Sequence, residues 1–434
     1  MSPLGTALDR TMRLMRDDLI ADVEDSTLIS ALTGTDVVLV GDLPNLSSHA
    51  AQCAYITAAL LMARSGHTVY LVAPDVPLLG SQPPLTGKRL VSALMEIGSD
   101  LLPCVEFSAD MPRGNAGLAV IFGDSPSKCR ARRAIGVNAG AWHARLGRAN
   151  QMGRWAEDAW PCGAMAAGAL ASVEALKVAM SGLRHLAKDA VLFDELFAFT
   201  DCVNLELAPP DSPPLADLGA FDCVSGGAII NATLYVLSRL PGVSGRARIV
   251  EPEVGDLSNL NRYSLMRRSA VGQLKAQVLQ HLLPPGLEVQ AIEKRYEGAL
   301  LSELGAFSPR VLVGVDDIPT RWKVQEQGPR WLGIGATTHW AAMASYHERG
   351  LGCARCLHPR DDPATAPIPT IAFVSFFAGL KLASYFVRAS AGERIRMTEQ
   401  YMYLSPLRPE YIWRSPVAVR HDCLVCQNTA IKAA

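Results

Sequence analysis

The chain has no excess of charge of either sign: 41 Lys and Arg stand against 42 Asp and Glu, a formal net charge of -1 over 434 residues. A near-neutral surface sets up no global field to recruit nucleic acid or an anionic membrane. Local basic clusters such as Arg130-Ala131-Arg132-Arg133 and Arg267-Arg268 therefore read as solvated surface, and no nucleic-acid partner is expected. No secretory leader is expected, because Met1 to Ile20 reads as a charged amphipathic helix without an apolar core run. The longest apolar stretch, Ile371 to Val387, is interrupted by Lys381 and falls short of the ~20 residues of a membrane span. It predicts a buried helix in a cytoplasmic protein with no membrane association. A further absence is cysteine between Leu357 and Asp422, which matters below.

What is present is size and apolar content for more than one core: 49% of the residues are hydrophobic. Asp36 to Gly41, His67 to Val72 and Ala119 to Phe122 read as buried strands, with helical apolar spacing over Ala50 to Ser65 and an Ala/Gly-rich helix over Gly163 to Met180. The second half repeats the plan. Strands are expected at Ala247–Val250, Leu287–Ile292 and Val311–Val315, a helix at Ala232–Arg239, and a counterpart of the Ala/Gly-rich helix at Ile371–Val387. Alternating strands and helices predict α/β architecture: two Rossmann-like, doubly wound parallel sheets with ligands at the strand C-termini. The proline-rich run Leu207 to Pro214 marks the boundary, giving domains 1–210 and 215–434. We read them as one degenerate and one working copy, a pseudo-dimer within one chain that can act as a monomer, in preference to two unrelated domains.

The chemistry concentrates in the second half. Ser225-Gly226-Gly227 opens a helix, Arg246 to Glu251 is a strand ending in an acid, and Ser258-Asn259-Leu260-Asn261-Arg262, Lys275 and Asp316-Asp317 follow. A cationic cluster near a helix start suits a triphosphate, and an acid at a strand end suits ribose or a metal ion. Cys353-x-x-Cys356 and Cys423-x-x-Cys426 have the spacing of two knuckles closing a tetrahedral four-cysteine zinc site. Four thiolates leave no open position, so the zinc is expected to be structural, stapling the C-terminus to the second domain.

The order of these motifs over residues 220–430 resembles the ubiquitin-activating enzymes and the ThiF/MoeB adenylating enzymes. The fused degenerate half is similar to the activating-enzyme-like proteins of bacterial ubiquitin-like conjugation operons, some of them linked to antiphage defence. The resemblance implies ATP- and Mg²⁺-dependent adenylation of the C-terminal glycine of a ubiquitin-like β-grasp protein, with transfer toward an E2-like conjugating protein. It further implies that Arg262 and Lys275 hold the triphosphate, and that Asn259 contacts the phosphates or adenylate. Glu251 would take the ribose, Asp316 would hold Mg²⁺ or orient the attacking carboxylate, and Arg321 would brace the Asp316 loop.

Three departures from the family pattern stand out. Its glycine loop is eroded: Val224, Gly226 and Ile229 fall on the three glycine positions, with Gly227 completing the central pair, and Ile229 is expected to push the helix or loop away. The phosphate-facing arginine that the family takes from its partner subunit is expected from the N-terminal helix, at Arg13 or, failing it, Arg10. The thioester cysteine of the family has no counterpart after Cys356. The adenylate then passes directly to a partner, or to Cys162, or to a hydroxyl such as Thr365, Thr370 or Ser375. Alternative readings are a sulfur-carrier adenylyltransferase, a nucleotide-binding scaffold that has lost catalysis, or a dinucleotide-dependent oxidoreductase, which fits the fold but not the motifs.

Overall fold

The computed structural model describes residues 2–156, 160–297, 305–361 and 368–426. Among these, strands β1 (Asp36–Val40), β2 (Thr68–Val72), β3 (Phe107–Ser108), β4 (Ala116–Phe122), β5 (Ala131–Ala139), β6 (His143–Gly147) and β7 (Val203–Glu206) form one sheet in the order β3-β2-β1-β4-β5-β6-β7. Strands β8 (Asp217–Val224), β9 (Ser244–Val250), β10 (Leu287–Ile292), β11 (Arg310–Val313), β12 (Trp331–Thr338), β13 (Ala341–Glu348), β14 (Tyr401–Leu404) and β15 (Ile412–Ser415) form the second, in the order β10-β9-β8-β11-β12-β13-β14-β15. The two orders correspond strand for strand, with β15 added at the second edge. In both, the first five strands run parallel and the remainder antiparallel.

The parallel strands are short, largely apolar runs; β1 is buried along Val37–Val40. The antiparallel extensions, absent from the sequence reading, carry a weaker signature. In β14, Met402 and Leu404 point into the core while Tyr403 points out beside Trp413 of β15. Two of the described helices are long and apolar enough to cross a membrane, Pro161–Leu186 and Ala372–Ser390, and they are 100% and 94% buried within the fold. They occupy equivalent places in the two halves and form the centre of the core.

The halves meet through buried polar contacts. In the helix α1 (Pro3–Leu19), the Ser2 hydroxyl accepts the Gly5 N–H, and Pro3 sits in the first turn where its missing N–H costs nothing. Its buried face, Leu4, Leu8, Met12, Met15 and Leu19, belongs to the common core. Its polar groups reach the other half: Thr11 accepts from Asn261 Nδ2 at 3.0 Å, and the Arg10 guanidinium donates to the Ile368 carbonyl at 2.8 Å. From α2 (His49–Arg64), Thr57 meets the Tyr235 hydroxyl at 3.0 Å, and the Arg64 guanidinium donates to the carbonyls of Leu260, at 2.7 Å, and of Ser264 and Met266.

Asp18 at the end of α1 accepts from the Trp340 indole N–H at 2.5 Å. Burial pushes its carboxyl up to about 7, against the opposing effect of that hydrogen bond. A folded-state pKa above the unfolded value of about 4 means stability that is fully present below pH 4 and is lost as pH rises through 7. Asp18→Asn keeps an acceptor for Trp340 and removes the charge. It should raise the melting temperature at pH 8 and leave it nearly unchanged at pH 4, as read by calorimetry across that range.

Candidate functional site

A cavity of about 520 Å³ opens at the C-terminal ends of β8, β9 and β11. Its floor is the turn from β8 into α3 (Ala228–Leu237), taking α3 as the helix that opens this half. Ser225 adopts φ 103°, a left-handed conformation that a residue with a Cβ enters only under strain. Its hydroxyl accepts the Gly227 N–H at 2.8 Å, and the Gly226 N–H is taken by Glu251 Oε2 at 2.7 Å. Both loop amides are thus engaged within the protein, while the first turn of α3 carries no side-chain cap. Unpaired amides at a helix start are donors for an anion.

Ile229, which the sequence reading expects to push the helix or loop away, packs against glycines. The space a glycine would leave on the helix is supplied by glycines opposite it. A Cβ on Gly335 would lie 2.5 Å from Ile229 Cγ2, one on Gly314 2.9 Å from Ile230, and one on Gly379 2.6 Å from the Ile229 carbonyl oxygen. The close helix–strand approach is kept with the small residues moved to the other side of the contact.

Of the sequence-predicted residues, Gly227, Glu251, Arg262 and Asp316 line this cavity together with Arg10. Arg262 donates to the Ser258 carbonyl and to Asn261 Oδ1 at 2.9 Å, and burial lowers its pKa, opposed by Tyr263 and Asp316. Burial and the nearby Arg262 likewise lower that of Arg10, so two cations share one wall. Asp316 is exposed at the cavity rim, whereas its neighbour Asp317 is the N-cap of α4 (Ile318–Glu326), accepting the Thr320 N–H at 2.7 Å. Arg321 holds the Val315 carbonyl with two donors at 3.1 and 2.8 Å.

Four predicted residues sit elsewhere. Arg13 pairs with Asp9 on the same helix, at 3.1 Å, and is 40% exposed; Arg10, one turn earlier, is the one at the cavity. Asn259 completes a capping box with Asp256, accepting its N–H at 2.9 Å, because an Asn three residues after an Asp satisfies that local geometry first. The Lys275 ammonium is buried behind the cavity wall and bonded to Glu253 Oε2 at 2.6 Å. Burial works against its charge, but Tyr263, Glu253 and Glu251 outweigh that and raise its pKa. Gly226 faces Glu251 and not the cavity. Sequence reasoning missed Tyr263, whose ring lies between Arg262 and Lys275 at 5.5 and 5.4 Å and lines the cavity. It quoted Asn261 in the motif but gave it no role; its side chain is fully buried between Thr11, the Thr370 carbonyl and Arg262.

Residues 235–425 match the ThiF family and residues 37–192 the BilD N-terminal domain. The second half is a ThiF-family domain. The match to this domain begins C-terminal to the loop Val224–Ile229, where the glycines are replaced. A family of adenylating enzymes implies use of ATP. An uncharacterized protein of Sinorhizobium fredii, y4jF, is 28% identical over 226 residues, 51% of this chain and 43% of its own length, so the likeness spans under half of that relative. Among solved structures, E. coli MccB with MccA-N7isoASN is 16% identical with TM-score 0.41, covering 48% of this chain and 66% of that one. PaaA gives 13% and 0.38 over 46% and 64%.

The equivalent crevice of the first half is filled. At the end of β1, Asn45 is fully buried and donates to Asp42 at 2.8 Å and Asp124 at 2.9 Å, and its Oδ1 accepts the Trp155 N–H at 3.0 Å. Gly123 packs so closely that a Cβ there would lie 2.2 Å from Asn45 Oδ1 and 2.8 Å from the Trp155 ring.

Cys162 is fully buried at the start of the long helix, and burial pushes its thiol far up, so it is a core residue and not an acceptor of an acyl group. Thr370 and Ser375 line the cavity, 3.2 Å apart, while Thr365 lies outside the described residues.

The four paired cysteines converge. Their Sγ atoms all lie within 4.8 Å of one another, with separations of 3.7 Å (Cys353–Cys356), 3.4 Å (Cys353–Cys423) and 3.6 Å (Cys356–Cys426). Tetrahedral zinc with Zn–S of about 2.3 Å requires sulfurs about 3.8 Å apart, so the cage has the right size for the ion. The Arg420 N–H points at Cys356 Sγ at 3.4 Å, a bond that supports a thiolate. Purified protein should carry one zinc per chain by elemental analysis. Cys423→Ser should lose most of it and render the segment after β15 sensitive to protease.

Proposed function

We propose that the second half adenylates the C-terminal glycine of a ubiquitin-like β-grasp protein, for delivery to an E2-like conjugating protein, and that the first half is a catalytically degenerate scaffold. The observation that carries this reading is the meeting of Arg10, Arg262, Glu251 and Asp316 around one cavity of a ThiF-family domain. The match of the first half to the BilD N-terminal domain supports a place in a bacterial ubiquitin-like conjugation operon, with antiphage defence as its setting. The filled crevice at Asn45 and Trp155 supports one nucleotide site per chain, which disfavours the symmetric plan of sulfur-carrier adenylyltransferases.

In the reaction, a carboxylate oxygen of the carrier attacks the α-phosphorus of ATP. The bond from that phosphorus to its bridging oxygen breaks and pyrophosphate leaves. The carboxylate is already ionised, so no base is needed and the protein contributes position and charge. Arg262 and Arg10 neutralise the phosphates from one wall, Arg as a forked donor. The free amides of α3 add donors, and Glu251 at the end of β9 takes the ribose. Asp316 would hold Mg²⁺, which supplies further charge neutralisation. Lys275 reaches the phosphates by exchanging Glu253 for them. Among the described residues no cysteine lines the cavity, so the adenylate is handed on directly to the partner's thiol.

A second reading, a nucleotide-binding scaffold, is favoured by one observation: Lys275 is already neutralised by Glu253. Carrier-dependent ATP–pyrophosphate exchange separates the two. Arg262→Ala and Arg10→Ala should each lower exchange by about 10²–10³, the loss typical of one transition-state donor. Arg13→Ala should leave it nearly unchanged, since an exposed ion pair contributes under ~1 kcal/mol. Absence of exchange with every candidate carrier, while ATP still binds, would favour the scaffold.

A further inference from the structure

The loop bearing Asp316 and the first cysteine knuckle are joined by a continuous set of contacts. Cys353 caps the short helix Ala354–Leu357 and Cys356 lies within it, and the helix N–H at Ala354 donates to Gln325 Oε1 of α4 at 3.1 Å. At the other end, the His358 carbonyl accepts the Trp322 indole N–H at 2.9 Å, and Arg355 stacks over the Trp322 ring at 4.7 Å. The His358 ring meets Arg321 Nη1 at 3.3 Å; a guanidinium only donates, so Nε2 is the acceptor. Arg321 in turn grips the Val315 carbonyl with its remaining donors. That carbonyl belongs to the same peptide plane as the Asp316 N–H, so fixing it fixes where the Asp316 side chain begins.

We propose that the Cys353–Cys356 knuckle, closed by Cys423 and Cys426, positions Asp316 through His358 and Arg321, so that the cysteine cage sets the geometry of the cavity rim as well as anchoring the tail. Asp316 is exposed, and a carboxylate at a rim is only as well placed as the backbone beneath it. Arg321 is 5% exposed, so its planar fork has no freedom to follow a displaced loop without losing His358 or Val315. His358 and Arg321 are positioning residues; neither lines the cavity. The functional consequence rests on the adenylation reading, whereas the mechanical coupling does not.

The test is amide hydrogen exchange of the full chain, zinc-loaded, over peptides spanning residues 314–321. His358→Ala should retain one zinc per chain and accelerate exchange there by about tenfold, the effect of losing a hydrogen bond to a charged donor. Zinc removal by a chelator should do the same, with β8 and β9 still protected. If His358→Ala fails to hold zinc or to fold, Trp322→Phe, which deletes one donor and keeps a ring, should show the same acceleration to a lesser degree. Unchanged exchange at 314–321 in a zinc-retaining variant, or in zinc-free protein, overturns the proposal. In pyrophosphate exchange, His358→Ala should lower kcat and leave KM for ATP unchanged. Faster amide exchange with no pyrophosphate exchange even in the wild type would sink the adenylation reading and leave the coupling standing.

Discussion

The site depends on an arginine that never touches it. Arg64, at the C-terminal end of a helix in the first half, is fully buried and satisfies carbonyls of Leu260, Ser264 and Met266 in the second. A buried guanidinium is costly to desolvate, and burial lowers its pKa to about 9. Among the described residues its acceptors are three backbone oxygens of the loop that carries Asn261 and Arg262, with no carboxylate at bonding distance. The first half therefore sets the path of the second half's motif loop by hydrogen bonding from behind. Asn261 does the same from the front, joined to Thr11 of α1. The loop is clamped between two elements of a domain whose own crevice is filled.

That division explains how one topology yields two outcomes. The strand orders agree, and the crevices lie at equivalent strand ends, yet one is packed with Asn45 and Trp155 and the other is open. Asn45 satisfies its amide with Asp42, Asp124 and Ser125, a network that leaves its own donors spent. On the open side the corresponding polar groups are an acid on a strand end and cations on a loop, and these keep part of their hydrogen-bonding capacity for something else.

Much of the architecture was legible in the sequence because buried parallel strands and core helices are written as uninterrupted apolar runs. β10 falls on Leu287–Ile292 as read, and the helix expected over Ile371–Val387 spans Ala372–Ser390. β5 to β7 and β12 to β15 were not, since β5 and β7 alternate exposed and buried residues over part of their length, and β12 and β13, though buried, carry Gly, Ala and polar residues in place of a branched apolar run. The candidate site was half legible. Motif order names Arg262 and Asp316, but sequence distance does not say which residue of a local pair faces inward. Asn259 is claimed by its own capping box and Arg13 by Asp9, interactions three and four residues away that a linear reading leaves unranked. The left-handed Ser225 and the relocation of small residues to Gly335 and Gly379 carry no one-dimensional signal, because both are set by what lies across the contact.

The N-terminal helix has a bearing on how the chain comes into being. Two of its polar contacts reach far along the sequence: Arg10 with the carbonyl of Ile368, Asp18 with Trp340, separations of 358 and 322 residues. These two partners lie far along the polypeptide, so the helix completes its polar anchoring only after most of the described residues have been made. Contacts this distant slow folding and prolong the exposure of apolar surface. The same helix that completes the cavity makes its assembly a late event, so that a nascent chain interrupted before Ile368 would have most of both sheets and an unfinished cavity wall.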